Sequence, residues 1–213
     1  MGVGGKTSSG FARATAVAIG VVVLSIGGVA CSGSDSDSNA SSSTKAEAST
    51  TTPTGAALPE NAMLGLDRVT QEFPELTKIG KTGPDETAID NPMASRAVFY
   101  TDESGEKKVT ISVSQYKDVA AAKKAWAIAV KASKGAPGGK TGATPKLGEE
   151  AFAGTSQVGD EMHYGLGFRD GRLIIAWTYA GLPVSDDNST KLTTLAGEEL
   201  TAAKNALGNQ AAG

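Results

Sequence analysis

One cysteine and one histidine in 213 residues, with aromatic side chains at only 5%, exclude more chemistry than any motif in the chain suggests. The single cysteine, Cys31, permits no internal disulfide, so whatever folds here must be held by packing. With His163 as the sole imidazole and no cysteine beyond residue 31, Cys/His zinc sites, a cysteine nucleophile inside a domain and any metal site needing two imidazoles are ruled out. No metal and no cofactor is expected. The chain also lacks an apolar run of the ~20 residues that a membrane-spanning helix needs. Its longest, Ala14 to Ala30, is interrupted by Gly20, Ser25, Gly27 and Gly28.

What that run does have is the layout of an export signal: basic Lys6 and Arg13 ahead of it, an apolar middle and small residues at its end. Residues 1–30 are therefore read as a signal peptide. Their removal takes two of 20 basic residues, leaving 18 against 23 acidic ones and a formal charge of −5. Such a surface does not favour nucleic acid, which is not expected as a partner. At the cut, Gly28-Val29-Ala30-Cys31 resembles the bacterial lipoprotein signal, with Gly28 where that signal commonly has Leu. The resemblance implies that the Cys31 thiol receives a diacylglycerol and that Cys31 becomes an acylated, palmitate-type N-terminus on the outer face of the cell membrane. Two or three acyl chains, at ~0.8 kcal/mol per buried CH₂, make such an anchor essentially permanent. An ordinary secretory cut after Ala30 is the alternative.

From Ser32 to Ala56, 13 of 25 residues are Ser or Thr, and Val, Ile, Leu, Met and aromatics are missing. Nothing in this stretch offsets the entropy of ordering, so residues 31–56 are expected to form a lipidated cysteine and a disordered tether. Both tryptophans, all four tyrosines and four of the five phenylalanines lie beyond residue 70. Residues 57–213 are read as one domain, long enough to bury a core without covalent staples.

Within it, Asn61 is placed to cap a helix through Met63, Leu64, Leu66, Val69 and Phe73, and Thr77 to Pro92 reads as a long loop. Strands are expected at Ala94 to Thr101 and Lys107 to Tyr116. The second puts Val109, Ile111 and Val113 on one face and Thr110, Ser112 and Ser114 on the other. Asp118 is placed to cap a helix to Lys134 with Trp126 as its packing anchor, and a further strand falls between Leu147 and Gln157. Glu161 to Phe168 and Arg172 to Tyr179 alternate as a second hairpin about Asp170-Gly171. A last helix carries Leu192, Leu195, Ala196, Leu200, Ala203 and Leu207. Hairpin then helix thus occurs twice. The expected class is α+β, an antiparallel sheet of four or five strands with two main helices on one face.

Motifs that suggest catalysis fail on context. Gly135 to Thr141 (GAPGGKT) lacks the phosphate-loop spacing and follows a helix; Ser104 and Lys107 span a turn. Asp186, Asp187 and Asn188 suit a helix start. Glu149 and Glu150, as strand neighbours, are expected to point to opposite faces and not to cooperate. A hydrolase would have to use His163. The more informative oddity is Gly165 and Gly167, which strip side chains from one strand face beside Tyr164, Phe168 and Trp177. These five residues are the candidate lining of a ligand groove, unless the glycines serve close helix packing.

The order strand, strand, alanine-rich helix, Leu147-Gly148-Glu149-Glu150-Ala151-Phe152, then a hairpin through Phe168-Arg169-Asp170-Gly171-Arg172-Leu173-Ile174-Ile175 and a final helix resembles exported actinobacterial lipoproteins. It is also similar to the extracellular sensor domains of mycobacterial Ser/Thr kinases. Those sensors carry disulfides that this chain lacks, so no functional residue transfers. The expectation is a lipid-anchored, non-enzymatic cell-envelope protein that binds a ligand or protein partner and meets the membrane through lipid on Cys31. An envelope lipid carrier with an apolar cavity, and a hydrolase using His163, are the alternatives.

Overall fold

The computed structural model describes residues 55–208. The expected signal peptide, Cys31 and the expected tether up to residue 54 lie outside the described residues, while Ala56, expected in that tether, pairs with Ala94 in the sheet. The chain enters with β1 (Ala56–Ala57) and a single 3-10 turn (Glu60–Ala62), followed by α1 (Leu66–Glu72) and β2 (Lys78–Gly83). A hairpin of β3 (Ala94–Thr101) and β4 (Lys108–Gln115) leads to α2 (Val119–Lys134). Then come β5 (Lys140–Thr141), β6 (Glu150–Val158), β7 (Glu161–Asp170), β8 (Leu173–Ala180) and α3 (Asp186–Leu207).

The class is α+β, but the sheet has eight strands instead of four or five. Its order is β1-β3-β4-β8-β7-β6-β5, with β2 sharing the outer edge of β3. Among the described residues only the β1–β3 pairing is parallel. The two hairpins join through β4 and β8, so the fourth and eighth strands sit at the centre. β8 reads as apolar on both faces because both faces are covered.

Register shows what each face buries. One row runs Val98, Ile111, Trp177, Leu166 and Ala153 across β3, β4, β8, β7 and β6, all buried. Against this face pack Leu192, Leu195, Ala196 and Ala203 of α3, with Val69 and Phe73 at α1. Each large side chain so buried contributes about 1.5–3 kcal/mol. The next row, on the other face, runs Ala97, Ser112, Ala176, Gly167 and Phe152. That face receives α2, whose Trp126 ring lies against Gly167. The two main helices are therefore on opposite faces, not on one. The reason is in the alternation of β8: Ile175, Trp177 and Tyr179 supply one core, while Ile174 packs with Ala121, Ala122 and Ala125 in a second, smaller one.

Both helices start as their sequences predict. Asp118 accepts from the Ala121 N–H at 2.7 Å and Ser185 from the Asn188 N–H at 3.2 Å, each satisfying an otherwise orphaned amide. Asp186 and Asp187 fill the first turn of α3. Three local expectations are corrected. The helix near Asn61 begins only after Gly65, because the chain first makes the 3-10 turn at Glu60–Ala62. The expected loop from Thr77 contains β2, an edge strand with almost every side chain exposed and so no alternating pattern to betray it. The second hairpin turns on Gly171-Arg172, not Asp170-Gly171: Asp170 still pairs with Leu173, and only Gly171 takes positive φ (55°), as a type II′ turn requires.

Candidate functional site

A groove opens between α2 and the sheet. Its floor comes from the two rows facing that helix: Ser112, Ala176, Gly167 and Phe152, then Thr178, Gly165 and Gly154. Its roof is Trp126, Ala129, Val130 and Ser133, one face of α2, and one end is closed by Tyr116, Ile89 and Asp85. The alanines let the helix lie close to the sheet while the glycines and Ala176 lower the floor beneath it. The cavity measures about 100 Å³. That is below the roughly 300–1,000 Å³ of drug-sized pockets but holds several waters or a short apolar group.

The two strand glycines do different things. A Cβ on Gly167 would lie 3.3 Å from Trp126 Cζ3, so that position seats the tryptophan ring. A Cβ on Gly165 would meet Thr178 Cγ2 at 3.7 Å and the Trp177 carbonyl oxygen at 4.0 Å, both ordinary contacts, so that position opens onto the groove. Of the other residues singled out in the sequence, Tyr164 and Phe168 turn to the α3 face. There Tyr164 stacks on Tyr179 with ring centroids 5.2 Å apart, and Phe168 is wholly buried. Trp177 borders the groove, yet its side chain belongs to the α3-side core. The structure thus brings Gly165, Gly167 and the edge of Trp177 together and separates Tyr164 and Phe168 from them.

The polar groups of the groove were not visible in the sequence. Asp85, in the supposed loop, is buried against the sheet. Its carboxylate accepts from the Thr87 N–H at 2.9 Å, from the Thr87 hydroxyl at 2.6 Å and from the Ser112 hydroxyl. Its own N–H donates to Ser95 Oγ at 3.0 Å. Tyr116 donates to the Ile89 carbonyl at 2.6 Å, and burial, reinforced by the nearby Asp90 and Asp85 charges, pushes its phenol well above the usual range. At the far end Ser156 Oγ is buried without a hydrogen-bond partner among the described residues. The available signal was the hydroxyl row Thr110, Ser112 and Ser114 on a strand that proves buried on both faces.

His163 stands directly across from Ser156 on the neighbouring strand, 4% exposed, with Nε2 3.5 Å from a Glu161 carboxylate oxygen. Because Ser156 Oγ has no partner, no nucleophile–base hydrogen bond links the two. Glu149 and Glu150 do converge, contrary to expectation, but on a cation. Arg169, buried in β7, donates from Nη2 to Glu149 at 2.5 Å and to Glu150 at 2.7 Å. Glu149 precedes the strand and so escapes its alternation. The Arg169 bond, then the Gly171 N–H, holds the Glu149 carboxyl below its usual range. The arrangement is an ion-pair clasp at the β7–β8 turn, closed by Arg169 Nη1 on the Gly171 carbonyl at 3.0 Å.

No protein-family model matches the chain, and no curated protein matches it in sequence. Among solved structures it is similar to the extracellular domain of PknH from Mycobacterium tuberculosis. The identity is 8%, the match covers 66% of this chain and 93% of that one, and the TM-score is 0.48. A likeness at that level describes general arrangement and carries no argument about what this chain binds. Among the described residues, no helix is long and apolar enough to cross a membrane.

Proposed function

We propose that this chain is a lipid-anchored protein on the outer face of the cell membrane, held through Cys31, which binds a small ligand in the groove between α2 and the sheet and catalyses no reaction. The supporting observation is the floor of that groove, where Gly165 presents bare backbone under a mostly apolar roof and a buried carboxylate and hydroxyl wait at its ends. Pockets of this make-up, apolar with a few placed polar groups, are the common form of small-molecule sites. A volume of about 100 Å³ supports a compact ligand over the whole acyl chain that a lipid carrier would enclose.

The test has two arms. The full-length chain, expressed in an actinobacterial host with an alkyne fatty acid, should take up label, and Cys31→Ser should lose both label and membrane attachment. Protein released in mild detergent should then show extra mass under native mass spectrometry that Gly165→Leu abolishes. Label on the serine variant refutes the anchor. Bare protein mass for both forms, with no groove-dependent binding of added small molecules, refutes the ligand reading.

A further inference from the structure

The groove is electrically one-sided. Among the described residues that line it, Asp85 is the only formally charged one, and no lysine, arginine or histidine is among them; His163 lies beside Ser156 at the far end. Other acidic groups nearby are already paired; Asp90, for instance, lies 3.1 Å from Lys124 Nζ. Asp85, 6% exposed, has hydrogen-bond donors but no cation within ion-pair distance among the described residues. A buried carboxylate in that state has given up water without gaining a counter-charge, and a cation brought to it recovers part of that loss. Tyr116 and Trp126 line the same groove, and aromatic rings are side chains to which ammonium groups are attracted.

From this charge complementarity we infer that the ligand is a short amphiphilic amine, its ammonium at the Asp85–Tyr116 end and its apolar body under Trp126 above Gly165 and Gly167. The inference rests on the ligand-binding reading above and adds the chemistry. From Ser112 on β4 to Phe152 on β6 the floor crosses three strand spacings, about 14 Å, and Ser156 lies four residues further along β6. That length accommodates a six-carbon chain and leaves the unpartnered Ser156 hydroxyl for a polar group at the far end. Carboxylate and phosphate ligands find no cation in the groove.

The experiment compares three probes of equal chain length at pH 7, hexylamine, hexanol and hexanoate, by calorimetry and tryptophan fluorescence on the mature full-length protein. Hexylamine should bind at least about tenfold tighter than hexanol, with hexanoate weakest. In Asp85→Asn that preference should collapse. Equal binding of amine and alcohol, or tightest binding of hexanoate, overturns the amine inference and leaves the groove reading standing. Binding of none of the three overturns both. Amine binding that survives Gly165→Leu lies elsewhere and overturns both as well. If Asp85→Asn does not fold, the wild-type comparison of amine with alcohol decides alone.

Discussion

Replacing Glu199 with glutamine should flatten the pH dependence of stability. Glu199 lies on α3 and is wholly buried; one carboxylate oxygen accepts from the Leu64 N–H at 2.9 Å and the other has no partner among the described residues. Burial pushes its carboxyl from the ordinary 4.5 up to about 8, against a smaller opposing pull from the Leu64 N–H. The folded protein therefore keeps a proton that the unfolded chain has lost. Stability is full below about pH 4.5 and falls as pH rises towards 8. Between pH 5 and pH 8 the loss is about 3 kcal/mol. Glutamine keeps the shape and an oxygen for Leu64, and its amide nitrogen inherits the unpartnered position, so the variant should match the wild type near pH 5. Urea unfolding followed by tryptophan fluorescence at pH 5, 6, 7 and 8 measures this. At a typical slope of about 2 kcal/mol per molar, the wild-type midpoint should fall by about 1.5 M relative to the variant. Parallel pH profiles would refute the reasoning.

Gly165→Ala should fold with stability within about 0.5 kcal/mol of wild type and bind ligand less well, since its Cβ makes only ordinary contacts and takes up part of the groove. Gly167→Ala should cost about 1 kcal/mol or more and shift Trp126 emission, because the ring must give way; the opposite ranking in thermal melts would sink the distinction. Arg169→Met should cost about 1–3 kcal/mol by removing the charge-assisted bonds to Glu149 and Glu150, whose half-exposed carboxylates regain water, and a loss under about 0.5 kcal/mol in urea would show the clasp to be ornamental. Asp118→Ala should lower stability by about 1 kcal/mol through the lost Ala121 amide bond, with circular dichroism reporting whether the first turn of α2 frays.

Periodic segments were legible in the sequence and contextual ones were not. The hairpin of β3 and β4, the extent of α2 and its Asp118 cap, and the pairing of β7 with β8 all follow from alternation, helical spacing and side chains that satisfy amides. β2 escaped because an edge strand with exposed Lys78, Ile79 and Lys81 need not alternate. The side on which each helix lies escaped for another reason. Ile174 and Ala176 announce that both faces of β8 are covered, but nothing local says that α2 takes one face and α3 the other. Gly165 and Gly167 were recognisable as unusual, though only the position of Trp126 separates their roles. Asp85 resembles Glu86 and Asp90 in sequence; it becomes distinct only when β2 and β3 carry its loop over Ser112.

The second, smaller core has a consequence for the order in which parts of the molecule open. α2 is pinned by Trp126 and by a cluster whose buried members are Tyr116, Ala122 and Ala125, whereas α3 shares the continuous core with every long central strand. Opening free energies differ across a fold according to such differences in buried contact. Amide protons of α2 should exchange through a sub-global lifting of that helix, at a lower cost than the global unfolding that governs β4 and β8. The same lifting is a route by which a molecule larger than the resting groove can enter, so occupancy would slow exchange along α2 and leave the centre of the sheet unchanged.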